Sequence, residues 1–317
     1  MSAMTTKFCV GLACAALLSP LPSTASAAEP AATKPAVAQT TFPTPEAAAQ
    51  ALVAAAEQFN VPELKAILGP DGETLVVSGD AVMDKRQAQE FAAEAREKLQ
   101  FVRDPKKPNI VTLVLGNENW PAPIPVIKEK TTWRFDSKAG SKEILYRRIG
   151  SNEIDAIKVC RGYVEAQHEY AAEKHDGSSV NQYAQKVIST PGTQDGLAWR
   201  TADGTWEGPV GEDIASFIEE GYSNKAEPFH GYYFKVLKGQ GPAAPMGEMS
   251  FVVKGVMIGG FALVAAPANY RVTGVKTFIV SNTGIIYEKD LGPSTLDQFK
   301  LMEMYNPDKT WVPVKED

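Results

Sequence analysis

The sequence predicts an α+β protein, and three observations carry that class. Apolar residues recur at helical spacing from Ala48 to Ala95, and beyond Pro108 they gather instead in short β-rich runs. The same succession, one amphipathic helix and then strands, starts again at about Ser151. The expected organisation is a helix-on-curved-sheet domain over 42–150, followed by a helix-plus-antiparallel-sheet domain over 151–317.

The chain opens with Lys7, the apolar run 8–18 and then Ala25-Ser26-Ala27. A positive residue, a short apolar core and a small-residue A-x-A site form the secretory signal pattern. Residues 1–27 are therefore expected to be a signal peptide cut after Ala27, which would place the protein in the periplasm or outside the cell. Acylation at Cys14 is disfavoured, because Leu12 in Gly11-Leu12-Ala13-Cys14 sits one place too late. The Ala-, Pro- and Thr-rich segment 28–41 reads as a flexible linker.

Each element then has a local signal. Thr44 can cap a helix whose first position suits Pro45, and Ala48, Leu52, Ala55 and Phe59 share its stripe. A second helix is expected from Pro62 to Gly69-Pro70. A third is expected from Asp84, with Gln87 in capping-box position, to Leu99, burying Ala88, Phe91, Ala92 and Ala95. Strands are expected at 110–115, 123–127 and 131–135, with a turn at Gly116-Asn117. A long helix follows over 152–172, with Ala156, Ile157, Cys160, Tyr163, Val164, Gln167 and Ala171 on one side. The Gly-, Ser- and Thr-rich sequence after it reads as irregular. Strands are then expected at 231–237, 251–253, 260–265, 275–281 and 284–289, the last two joined at Asn282-Thr283-Gly284.

Composition limits the function classes. A net charge of −6 and a pI near 5.3 argue against nucleic acid and against an anionic membrane surface, both of which are bound through clustered Lys and Arg. The apolar run 256–267 is too short to span a bilayer and contains Gly259-Gly260, so no stable membrane insertion is expected after signal cleavage. Once Cys9 and Cys14 are removed, Cys160 is the only cysteine, which excludes an internal disulfide.

Several stretches carry family resemblance. The runs GYYFKVLKGQGPAAP (231–245) and GGFALVAAPANYRVTGVKTFIVSNTGIIYEKDLG (259–292), with the C-terminal YNPDKTW, resemble the bacterial domain of unknown function 2950 family. The likeness extends back through RRIGSNEIDAIKVCRGYVEAQHEYA (147–171) to nearly the whole mature chain and implies no activity. The element order of 42–150, with TTWRFD at 131–136, resembles the nuclear-transport-factor-like cone. Residues 151–292 are similar to the heads of type IV pilins and pseudopilins, without the apolar assembly helix of those proteins.

No residue is assigned as catalytic, cofactor-binding or metal-binding. Glu165 and His168 share one helix face, and His175, two turns later at the polar C-terminal end, could extend the set, whereas His230 could join only by folding back beside that helix, with Glu165 or Asp176 completing the site. Joint replacement of His168, His175 and His230 by Asn is accordingly expected to leave folding and partner binding nearly unchanged. Cys160 lies mid-stripe and reads as a buried thiol. Gly221-Tyr222-Ser223-Asn224-Lys225 breaks the nucleophile-elbow pattern, and GQGPAAP lacks the ending of a phosphate loop. Isomerase-like chemistry in the cone would rest on Asp80, Asp84 or Asp136 with Tyr146 or Trp133 as donor. Tyr232, Tyr233, Phe234, Phe261, Tyr270, Phe278 and Tyr287 could form a carbohydrate or peptide surface, but strand alternation assigns about half of them to the core. The favoured expectation is a non-catalytic periplasmic module that meets another envelope protein or a cell-wall polymer. The alternative is a small-molecule enzyme or carrier using the cone. An apolar pocket with a convergent acid would favour the latter.

Overall fold

The computed structural model describes residues 38–77, 81–211 and 228–315. The expected signal peptide and most of the linker lie outside these residues. The linker ends earlier than Thr41, because the Gln39 amide donates to Ile67 O (2.9 Å) and Phe135 O (2.8 Å). Phe42 and Trp133 then exchange backbone hydrogen bonds of 2.7 Å in both directions.

Helices α1 (Pro45–Glu57), α2 (Val61–Leu68), α3 (Glu73–Val76) and α4 (Ala81–Glu97) precede an antiparallel sheet. Thr44 Oγ1 accepts from Ala47 N at 3.1 Å, a cap worth about 1 kcal/mol. Asn60 caps α2, which starts at Val61, one residue before the expected Pro62. Gly69, at φ 72, ends that helix in the left-handed region. Helix α4 is already formed at Ala81, so Asp84 is not its N-cap; nothing in Ala81-Val82-Met83 opposes helix.

The sheet contains β1 (Leu99–Arg103), β2 (Ile110–Leu115), β3 (Trp120–Pro121), β4 (Val126–Glu129) and β5 (Thr132–Phe135). Its order is β1-β2-β4-β5, with β3 on β2. Strand β1 was not expected; it follows α4 after the single residue Lys98, leaving no turn signal to read. Strand β4 begins at Val126 rather than 123, since Pro123 and Pro125 cannot donate to a ladder. Val111, Leu113 and Leu115 point into the first core at the strand period of two.

Helix α5 (Ser137–Tyr170) starts well before the expected Asn152 and passes through the 150/151 boundary. Asp136 caps it, accepting from Ala139 N at 3.0 Å, and the Ser137 hydroxyl donates to Leu68 O at 2.6 Å. Gly140 is there for close packing, because a Cβ would fall 2.6 Å from Ile124 Cγ1. The later turns bury Ala156, Cys160, Tyr163, Ala166, Gln167 and Tyr170 in a second core.

That core lies on a five-stranded antiparallel sheet of order β17-β16-β15-β14-β9. Its strands are β9 (Tyr232–Leu237), β14 (Ala262–Pro267), β15 (Lys276–Ser281), β16 (Ile286–Asp290) and β17 (Val312–Pro313). Every residue of β14 is buried, as for a central strand covered on both faces. The expected β15–β16 hairpin forms, with Gly284 at φ 76. Glu153 of α5 accepts from Val275 N (2.8 Å) and Lys276 N (3.0 Å), fastening the start of β15 to the helix. Short ladders β10 (Gly239–Gln240) with β11 (Met249–Ser250) and β12 (Val252–Val253) with β13 (Val256–Met257) flank the sheet.

The stretch read as irregular holds three strands. Strand β6 (Lys186–Ile188) pairs in parallel with β7 (Gly196–Arg200), which pairs antiparallel with β8 (Trp206–Glu207). Near them the Gln167 side chain acts as a peptide group: its amide donates to Ala184 O at 2.8 Å and accepts from Ala184 N at 2.9 Å.

Helix α6 (Thr295–Leu301) leads to the C-terminal segment, which clasps GQGPAAP. Tyr305 N donates to Gly239 O (3.0 Å), Gly241 N to Tyr305 O (2.9 Å) and Ala243 N to Asn306 Oδ1 (2.8 Å). A Cβ on Gly241 would fall 2.5 Å from Asn306 Cγ. Two of the motifs that carry the family resemblance thus touch each other.

Candidate functional site

A partly open cavity of about 250 Å³ lies in the first core between the helices and the sheet. Leu52 and Ala56 come from α1, Leu64 and Leu68 from α2, and Leu75 and Val76 from α3. Leu113 of β2 and Phe135 of β5 form the sheet side, and Trp120, Ala122, Pro123 and Ile124 form a further wall. Asp84, Gln87, Ala88 and Phe91 of α4 close it, and Phe59 completes the lining. Their i, i+3, i+4, i+7 spacing puts the four α4 residues on one helix face.

Local sequence explains the room. Protein cores have few voids larger than a water, and a sealed, empty void of this size would cost on the order of 6 kcal/mol. Here Ala56, Ala88 and Ala122 present methyl groups where larger side chains would fill the space. Helix α4 buries only Ala92 and Ala95 fully, both in its C-terminal half. Near its start Val82 is 82% exposed, and Trp120 at the opposite wall is 42% exposed.

The other sequence candidates fall elsewhere. Asp80 and Gly221 to Lys225 lie outside the described residues. Asp136 is spent on the α5 cap, Tyr146 is exposed beneath Lys142, and Trp133 is buried without lining the cavity. The acid that reaches the cavity, Asp84, is therefore not joined there by either proposed donor. Gln87, Phe91 and Trp120 had no signal marking them as site residues, because the lining is assembled from many elements.

The histidines do not converge. Glu165 and His168 are exposed on α5, His168 lying edge-on to Phe261 at 5.5 Å. His175 does not extend the Glu165/His168 set along the helix: α5 ends at Tyr170, and His175 folds back to 6% exposure, stacked on Tyr170 at 3.8 Å. Its Nε2 donates to Tyr170 O at 2.8 Å, and Nδ1 lies 3.2 Å from Gln194 Oε1. His230 does return to α5, but its Nδ1 meets Asp155 Oδ2 at 2.7 Å. Hydrogen bonds from His230 and Lys158 hold the Asp155 carboxyl below its usual value. Among the described residues no group of three His, Cys, Asp or Glu is placed to hold a metal ion.

Cys160 is fully buried, and burial pushes its thiol up to about 12, away from the thiolate needed for attack. Tyr232, Phe261 and Phe278 are buried, while Tyr233, Phe234, Tyr270 and Tyr287 are half-buried, so none of the seven is a fully exposed platform. The Gln240 amide of GQGPAAP donates to Pro245 O and Gly247 O, which makes that segment a structural clasp. No helix among the described residues is long and apolar enough to cross a membrane.

The model of a family described as Protein of unknown function (DUF2950) matches residues 39–314. No curated protein and no solved structure matches the chain.

Proposed function

The chain belongs to the DUF2950 family, and from that premise we propose that it is a non-catalytic binding protein whose first core holds a small apolar molecule. The observation that carries this reading is the cavity of about 250 Å³ beneath α4. A dry 150 Å³ cavity lined by Leu, Ile and Phe accepts benzene, so this volume has room for a ligand somewhat larger than a single ring. Catalysis is disfavoured because Asp84 has neither Tyr146 nor Trp133 beside it in the lining.

The finer architecture belongs to the same proposal. Helices followed by an antiparallel sheet, with a cavity between them, support a nuclear-transport-factor-like cone for the first part. The second half of α5 against β14 and β15 supports a pilin-head-like second part. Export to the periplasm rests on the Ala25-Ser26-Ala27 site, and mass spectrometry of the mature protein should give an N-terminus near Ala28. Recovery of Met1 or of acylated Cys14 would refute it.

Binding is tested with 1-hexanol as probe, followed by methyl and indole NMR shifts of the purified chain. Saturable shifts at Leu113, Ile124 and Trp120 are expected. Ala88→Leu should fill the space, abolish the shifts and leave the protein folded. Absence of saturable shifts, or binding unaffected by Ala88→Leu, would overturn the reading.

A second reading has one observation in its favour. Strand β9 is an edge of the five-stranded sheet, paired only with β14 among the described strands. Such an edge can accept a strand from another envelope protein. Crosslinking from Lys235 of β9 in intact cells tests this, and the absence of any adduct would count against it.

A further inference from the structure

The loop between β10 and β11 holds together without one of its own side chains. Gly247 N donates to Ala244 O at 3.0 Å, closing a four-residue turn with Pro245 in its second place and Met246, at φ 68, in its third. That is the form of a type II turn, whose third place needs a positive φ and therefore suits Gly or Asn. The Gln240 amide secures the turn from within by donating to Pro245 O and Gly247 O, and Ala243 N donates to Asn306 Oδ1 just before it. Met246 thus stands where backbone chemistry disfavours it, and its side chain, 85% exposed, gives almost nothing back to the core. An unfavourable backbone conformation without compensating packing points to a use other than folding.

We propose that Met246 is a modification site, at which peroxide-class oxidants convert the thioether to the sulfoxide. The step is a two-electron transfer: a lone pair on Sδ takes one oxygen of hydrogen peroxide, the O–O bond breaks, and water leaves. The other described methionines are less open to it. Met257 is fully buried, and Met249 and Met302 pack against the second core. Met304 is 36% and Met83 37% exposed, and the Met83 sulfur also accepts from the Arg86 guanidinium, which occupies a lone pair. At Met246 a polar sulfoxide puts little apolar contact at stake, so the loop stays clasped by Gln240. A methionine sulfoxide reductase with a thiol reductant restores the thioether, two thiols giving a disulfide and water. The site can therefore be cycled in the folded chain.

The test treats the purified, folded chain with hydrogen peroxide at neutral pH and follows each methionine by peptide mass spectrometry. Met246 should gain oxygen about threefold faster or more than Met83 and Met304, and about tenfold faster or more than Met257. The urea midpoint of the chain oxidised at Met246 alone should equal that of the untreated chain, and the reductase should return the original mass. Met246→Leu keeps an unbranched-size apolar side chain on the same turn and should remove the fast reaction while leaving the midpoint unchanged. Prior unfolding in urea should bring the rates at Met246, Met83 and Met257 to within about twofold of one another, because the fold and not the flanking sequence sets the order. Met83 or Met304 reacting as fast as Met246, selectivity that survives unfolding, or a midpoint that falls on oxidation at Met246 would overturn the proposal. None of these outcomes bears on the cavity reading, which rests on separate residues.

Discussion

Replacing Gln167 by Leu isolates the side chain that stands in for a peptide group in the second core. Ala184 is fully buried and outside any strand, and its N–H and C=O both bond to the Gln167 amide. The same amide donates to the Tyr163 hydroxyl at 3.0 Å, which retains a longer bond of 3.4 Å to Ala262 O. In Gln167→Leu the two backbone groups of Ala184 lose their partner away from water, at about 1–3 kcal/mol each. The added apolar burial returns about 1 kcal/mol. A net loss of about 1–5 kcal/mol is expected, against a typical total of about 5–15 kcal/mol. Urea denaturation should show a lower midpoint at an unchanged slope, and the Ala184 amide should exchange faster in the native state. The exposed neighbour His168, changed to Asn, should move stability by less than about 0.5 kcal/mol. A loss under about 1 kcal/mol in Gln167→Leu, or unchanged exchange at Ala184, would refute the assignment.

Three further outcomes follow from the same structure. His175→Asn should cost about 1–3 kcal/mol in urea denaturation while His230→Asn costs less than about 0.5, because only His175 is buried with both ring nitrogens engaged; equal effects would contradict this. Cys160 should ignore a thiol reagent at pH 8 in the native protein and react once urea unfolds it, and rapid native labelling would show that the thiol is not enclosed. Burial raises the Asp195 carboxyl, but hydrogen bonds from Thr190, Lys186 and Thr193 outweigh it and bring the group to about 2. Its ionised form therefore adds stability above the ordinary value of about 3.9, and that share is lost as pH falls through about 2. Asp195→Asn should melt lower than wild type at pH 6, with the gap closing between about pH 4 and pH 2. A gap independent of pH would exclude the carboxylate as its source.

What was legible in the sequence was local. Thr44-Pro45 announced α1, Gly69-Pro70 stopped α2, and Asn282-Thr283-Gly284 joined β15 to β16, since each signal acts within a few residues. The errors occurred where tertiary packing decides. Gly140 reads as a helix breaker in isolation, yet it sits inside α5 because Ile124 packs against it. Strands β6 and β7 form a parallel pair that periodicity cannot show in segments so short. His175 lies beyond the helix and is buried by a reversal of the chain onto Tyr170. For the cavity, the sequence offers Asp84 both as a helix cap and as one of three acids for the cone, and the structure places it in the lining. Its neighbours Phe59, Phe91 and Trp120 are far apart in the chain and ordinary in type, so only their convergence marks them.

The clasp between 239–245 and Tyr305-Asn306 also fixes the order in which a nascent chain can finish folding. The first core uses residues up to Phe135 and can close as soon as the start of α5 has been made. The second core includes Tyr305 and Trp311, and β17 supplies an edge strand of its sheet, so it stays incomplete until Val312-Pro313 has been translated. At roughly 5–20 residues per second, that interval lasts on the order of ten seconds or more. Throughout it, the long apolar strands β14 and β15 exist as chain without their complete cover. Premature stop codons between the end of α5 and Trp311 should therefore yield a half-molecule with a sound first core and an aggregation-prone remainder.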